Sequence, residues 1–314
     1  MGAFRSESFY VRRAIRILPP TYIAIALCVV VGATAALPSA QNVWGILAQL
    51  LNYTNYYMIW SSNETGDAHS GLPPESSMLW SLAVEEHFYL IFPAILIVLL
   101  RRKLTFRTVG FLLVGACALA PLWRLVLALN DADFYRLYVA TDTRFDGLLA
   151  GAAMALLANP ALKDAVPFGL SDRLMRFVLA PIAAVVAVVA AFLPGTAGLV
   201  IADTIIYVCL VVLFWVVITW PDGLCGRVLN NRLVAHIGVL SFSIYLLHRL
   251  VLGLAQLVTT VPLFVDIASL LITVVLAQAM FIGVERPLGS VRKKLEARVP
   301  VPRESASVQA HHRG

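Results

Sequence analysis

The sequence is poor in charge and poor in the residue groupings on which much soluble enzyme chemistry rests. Asp, Glu, Lys and Arg make up 13% of the 314 residues, against 60% hydrophobic, which is far from the balance of a water-soluble domain. The four cysteines, Cys28, Cys117, Cys209 and Cys225, are scattered without CxxC pairing, so they read as free thiols rather than as a disulfide or zinc framework. The six histidines show no HxxxH or HExxH spacing, and no metal site is expected. There is no Walker loop, no GxGxxG and no GxSxG, which argues against nucleotide hydrolysis and serine-hydrolase chemistry. No internal repeat of the transporter kind is visible. Met1 to Tyr10 is neither a signal peptide nor a spanning segment.

What is abundant is apolar sequence in long runs, at roughly 17 to 37, 84 to 100, 108 to 129, 145 to 158, 174 to 193, 198 to 219, 236 to 257 and 262 to 284. A bilayer needs roughly 20 apolar residues per spanning helix. The predicted fold is therefore all-α, a polytopic transmembrane bundle of about eight spanning helices. A ninth candidate, Trp44 to Trp60, interleaves Gln49, Asn52 and Asn55 with Trp and Tyr, which suits one helix lying in the interface.

The net charge of +6 would suggest nucleic acid in a soluble protein, but here the cations fall between apolar runs. If Trp44 to Trp60 does not span, 20 of the 24 Lys and Arg lie on one side, the exceptions being Arg124, Arg136, Arg144 and Arg249. The positive-inside rule then puts both termini in the cytoplasm, in a plasma membrane, with the lipid bilayer as partner and no nucleic acid. Residues 1–288 form the transmembrane domain, and the basic tail 289–314 is expected to be disordered.

Four polar motifs interrupt the runs. Arg12, Arg13 and Arg16 share a helical face ahead of Pro19; three guanidinium forks suit phosphates, including those of coenzyme A, or equally a cytoplasmic anchor. In Leu79-Trp80-Ser81-Leu82-Ala83-Val84-Glu85-Glu86-His87, helical spacing puts Ser81, Glu85 and Tyr89 on one stripe, with Glu86 about 100° away. Carboxylates at membrane depth cost at least ~2.5 kcal/mol each, so they line a cavity, find partners or sit at the water boundary. In Thr141-Asp142-Thr143-Arg144-Phe145-Asp146-Gly147, Thr143 and Asp146 resemble a capping box, and Gly147 with Gly151 a close-packing face. Arg144 is left to hold Glu85 or a substrate oxygen. Finally, Ser241, Tyr245 and His248 follow i, i+4, i+7 and form one polar stripe, and Glu285-Arg286-Pro287 is read as a cap and helix stop.

In this order the motifs resemble the acyltransferase 3 family of multipass O-acyltransferases, over about residues 9 to 288, with Trp80 to Pro93 the most specific block. The resemblance implies transfer of an acyl group, often acetyl, from acyl-CoA on the cytoplasmic side to a hydroxyl of a sugar, cell-envelope glycan or glycosylated natural product. No bound cofactor is implied; acyl-CoA is a substrate. It further implies Arg12, Arg13 and Arg16 as donor-binding residues and Glu85 as the carboxylate of the Trp-Ser-Leu block; the reading of the residues themselves adds Glu86 and His248 as catalytic candidates and Ser81, Arg144, Asp146 and Tyr245 as substrate-binding candidates. The family pattern begins with two further helices, the first carrying a catalytic histidine. Neither is among these 314 residues, so the expected chain is an N-terminally truncated one, active or inactive. A transporter or a non-catalytic membrane partner is the alternative.

Overall fold

The computed structural model describes residues 6–34, 37, 40–158, 171–258 and 261–290. Among them there is no strand. The tail beyond 290 and the Lys163 segment, where sequence predicts disorder and cytoplasmic charge, lie outside the described residues.

Seven helices in the described residues are long and apolar enough to cross a membrane. They are α1 (Ser6–Ala33), α4 (Leu79–Arg101), α5 (Phe106–Leu129), α8 (Asp172–Ala191), α9 (Gly195–Thr219), α11 (Arg232–Val258) and α12 (Pro262–Ser290). Between them lie α2 (Val43–Leu50), α3 (Thr54–Thr65), α6 (Phe134–Val139), α7 (Thr141–Leu157) and α10 (Leu224–Leu229). The polytopic bundle is as the hydropathy predicts. The eighth run is also helical, but α7 has 17 residues, roughly 25 Å at 1.5 Å per residue, less than the roughly 30 Å hydrocarbon thickness.

The packing is that of a membrane protein. Leu90, Leu119, Phe177, Val185, Phe192, Leu263 and Val275 are all at least 60% exposed, a surface that only lipid covers favourably. Small residues such as Ala83, Ala120 and Ala153 are buried on the helices, and such residues let backbones approach where lipid supplies no hydrophobic drive.

Two compact units are present: residues 1–27 with 240–314, and Cys28–Val239. In the first, α1 begins eleven residues before the apolar run and continues through Pro19 and Pro20. Neither proline has an N–H to donate, so the carbonyls of Ile15 and Arg16 lose their usual helical partners. The basic motif is therefore part of the spanning helix rather than a loop ahead of it. Likewise α12 does not stop at Pro287. A π turn, Phe281–Glu285, precedes the proline, and such widened turns occur where the regular ladder is interrupted.

In the second unit, the Trp44–Trp60 stretch forms two helices and not one. The chain breaks at Leu51–Tyr53, where Asn52 takes a left-handed conformation, φ 53°, which Asn tolerates better than most residues. Asn42 caps α2 by accepting a hydrogen bond from Gly45 N at 2.9 Å. Gly45 lies so close to the 71–72 backbone that a Cβ would come within 2.0 Å of the Gly71 carbonyl oxygen. Gln49 and Asn55, whose polarity suggested an interfacial surface, are buried. The exposed faces carry Trp44, Leu51, Tyr53 and Trp60 instead, the residues of an interfacial belt. Together α2, α3, the 66–78 segment and α6 form a cap around Tyr57, Met58, Leu72 and Val139, against which Trp80 and Tyr135 pack.

Candidate functional site

Each charged side chain of the Thr141–Gly147 motif is committed to a different neighbour. Asp142 receives both terminal nitrogens of Arg136 from α6, at 2.8 and 2.5 Å, and the Trp123 indole N–H at 2.8 Å. Arg144 pairs with Asp203 of α9. Asp146 pairs with Arg124 of α5 at 2.8 Å. Alternating charge along one and a half turns thus anchors α7 to three elements.

The Arg124–Asp146 pair is the most buried, with side-chain exposures of 0% and 1%. Arg124 donates to the Thr143 carbonyl at 2.8 Å and to the Val200 carbonyl at 2.9 Å, and contacts the Thr204 hydroxyl. Thr204 in turn donates to Asp146 Oδ2 at 2.8 Å. Val200 lies in a π turn, Gly198–Ala202; a break in the regular i to i−4 ladder of this kind exposes carbonyls to other donors. Asp146 Oδ1 is buried with no hydrogen-bond partner, so the network holds the carboxylate at one oxygen only.

These commitments revise two sequence expectations. Thr143 and Asp146 do not form a capping box: the helix starts at Thr141 without a side-chain cap, the Thr143 hydroxyl donates to the Ala140 carbonyl at 2.9 Å, and Asp146 turns to Arg124. Gly147 does serve close packing, because a Cβ there would lie 2.7 Å from the Tyr207 ring, but Gly151 faces open space. Arg144 also donates to the Tyr138 carbonyl at 2.5 Å. Its guanidinium lies 4.8 Å from the Tyr138 ring centre and 5.8 Å from that of Trp80. The second and third motifs therefore meet through a cation–π contact.

The first turns of α4 place the acidic block beside the cap. Glu85 is exposed, and Ser81, Glu86, His87 and Tyr89 are half-buried. Ser81 donates weakly to the Met78 carbonyl at 3.4 Å. His87, next to the carboxylates, joins Thr141 Oγ1 through Nδ1 at 2.8 Å, and Asn55 donates to the same oxygen at 2.9 Å. The cap, α4 and α7 are thereby tied at one hydroxyl. Gln49 Oε1, Thr54 Oγ1 and Asn55 Oδ1 are buried without partners.

In the first unit Ser243, not Ser241, is the buried hydroxyl of α11; Ser241 is exposed. Ser243 donates to the Glu285 carboxylate of α12, so Glu285 joins two helices instead of capping one. Tyr245 and His248 are half-buried, their ring centres 6.0 Å apart. His248 Nδ1 lies 2.7 Å from the Tyr245 carbonyl. A carbonyl only accepts, so Nδ1 carries a proton and Nε2 is the basic nitrogen of the neutral ring. Arg12 and Arg13 are half-buried and Arg16 exposed on α1. Ser81, Glu85, Glu86, Arg144 and Asp146 belong to one unit and the Arg motif, Tyr245 and His248 to the other.

Arg124, Asp203 and Thr204 lie outside the four motifs, and His87 and Thr141 stood within them without an assigned role. Arg124 could have been found, since a lone cation inside an apolar run asks for an intramembrane partner; Asp203, a lone acid inside the 198 to 219 run, is the matching signal on α9.

Comparison with known proteins gives a consistent picture. The model of the acyltransferase 3 family, described as an acyltransferase domain, matches residues 3–284. The "Peptidoglycan O-acetyltransferase OatA" of Listeria monocytogenes is 27% identical over 293 residues, covering 90% of this chain and 46% of that protein. The "Putative O-acetyltransferase" of Staphylococcus aureus strain COL is 27% identical over 299 residues, covering 91% and 48%. The chain spans about half the length of these curated relatives. No solved structure matches it.

Proposed function

The chain belongs to the acyltransferase 3 family, and from that premise we propose that it is a membrane O-acyltransferase moving an acyl group, in the first instance acetyl, from acyl-CoA to a hydroxyl of a sugar or cell-envelope glycan. The thioester C–S bond breaks, an ester C–O bond forms, and the acceptor's hydroxyl proton passes through a protein base to the thiolate of CoA. The observation that carries the reading is the acidic block itself: Glu85 exposed and Glu86 half-buried in the first turns of a spanning helix, beside a polar cap. Carboxylates so placed are kept for chemistry or recognition more readily than for stability. His248, with Nε2 as its basic nitrogen, is the further acid–base candidate.

Arg12, Arg13 and Arg16 are assigned to the phosphates of the donor, since three guanidinium forks on one helical face match several phosphate oxygens. The peptidoglycan named for the Listeria relative supports a cell-envelope acceptor. The charge distribution supports a plasma-membrane protein with its termini in the cytoplasm. Transfer of labelled acetyl from acetyl-CoA to a glycan by the chain in nanodiscs tests the reading. Glu85→Gln should lower turnover by about 100-fold or more, the usual worth of a positioned acid–base group, with insertion and CoA binding retained. Glycan flux across vesicles without ester formation would instead favour a transporter.

A further inference from the structure

A cavity of about 750 Å³ lies in the second unit between α6, the end of α8, the start of α9 and the first turn of α7. Its size is within the roughly 300–1,000 Å³ of small-molecule sites. Most of the wall is aliphatic or small, as at Ala191, Leu193, Leu199 and Ile206, and its charged lining is the paired Arg144 and Asp203. Two aromatic rings of the lining, Phe134 and Tyr138, stack with centres 5.3 Å apart, and Tyr138 touches Arg144. Phe134 is 51% exposed.

A site with a mainly apolar wall and one charged pair suits an amphiphile. The pair discriminates among heads. Arg144 and Asp203 already neutralise each other, so an anionic head would meet the Asp203 carboxylate and a cationic head the guanidinium, each at a cost in a partly desolvated place. A hydroxyl can donate to Asp203, whose side chain is 25% exposed against 9% for Arg144, and an aromatic face packs well against the C–H face of a sugar ring. The cavity also lies near the acidic block. Trp80, which touches Arg144, precedes Glu85 by five residues, roughly 7.5 Å along the α4 axis.

We propose that this cavity holds the apolar chain of a membrane-resident amphiphile with an uncharged, hydroxyl-bearing head bound at the Arg144–Asp203 pair, so that an acceptor is drawn from the bilayer itself. The role as acceptor rests on the acyltransferase reading; the binding does not.

The test uses the whole chain in phosphatidylcholine nanodiscs and an octyl glucoside carrying a photoreactive diazirine in its alkyl chain. Crosslinks should map to residues 132–144 and 190–206. Unlabelled octyl glucoside should compete at about tenfold lower concentration than octyl phosphate, the difference expected for one hydrogen bond to a charged group. Ala191→Trp, which adds an indole at a lining residue outside the ion pair, should remove the competed labelling. Equal competition by octyl phosphate, no competed labelling over phosphatidylcholine, or unchanged labelling in Ala191→Trp would overturn the assignment. The first two are read on the wild-type chain and do not depend on the variant folding. The acyltransferase reading is scored separately: labelling without acetyl transfer to any glycoside contradicts that reading and leaves the site, whereas transfer to a soluble glycan without labelling does the reverse.

Discussion

Arg124 shows what a single charge demands inside an apolar helix. Its guanidinium has a carboxylate, a hydroxyl and two backbone carbonyls around it, and Asp146 is left with one oxygen unpaired. Such a pair fixes geometry more surely than it adds stability, because both charges were taken out of water. Arg124→Met should therefore destabilise the chain by about 3–5 kcal/mol, the cost of an uncompensated buried carboxylate. Arg124→Met with Asp146→Leu should recover most of that loss, and detergent-solubilised unfolding curves compare the two. Equal loss in both would mean that the backbone carbonyls, not the charge, are what Arg124 serves. Arg124→Lys should remain impaired, since one ammonium cannot replace a fork that reaches Val200, Thr143 and Asp146 together.

At the scale of elements, α7 is a keyed helix whose partners could not be named from sequence. Its charges, its glycine and its Thr141 hydroxyl were all visible, but Asp203, Thr204 and Tyr207 lie about 60 residues on, and only the folded chain brings them together. Gly147→Ala should cost about 1–3 kcal/mol through overpacking against Tyr207, while Gly151→Ala should be neutral or stabilising by up to about 1 kcal/mol through helix propensity. Thermal unfolding of the two variants side by side checks this, and equal effects would contradict the docking described for α7. In the cap, Asn52→Val should cost about 1–2 kcal/mol because a β-branched residue resists the left-handed turn, and limited proteolysis at 51–53 should quicken accordingly. The split of α2 from α3 was hidden in the sequence because Gln49 and Asn55 look like surface residues. Tertiary partners, Ser76 at 2.6 Å and Thr141 at 2.9 Å, make their burial possible.

For the whole molecule, hydropathy made the spanning helices legible because a bilayer imposes a length and an apolar composition on each one. It was less informative at their ends, where α1 and α4 start earlier than the apolar runs and take the Arg motif and Trp80-Ser81 into regular helix. The candidate site was legible as motifs but not as contacts. Arg144 meets Trp80 and Asp203, where spacing alone left it to Glu85 or a substrate. For the proposed reaction, the charge distribution along the sequence predicts a cytoplasmic donor at the Arg motif and an acceptor reached from the other face. Sealed proteoliposomes test this most directly, with labelled acetyl-CoA trapped on the side of the Arg motif and the glycan acceptor only on the other. Acetyl ester should form on the outside acceptor and be lost in Glu85→Gln; ester formed only when donor and acceptor share a compartment, or no ester at all, would overturn the proposed reaction.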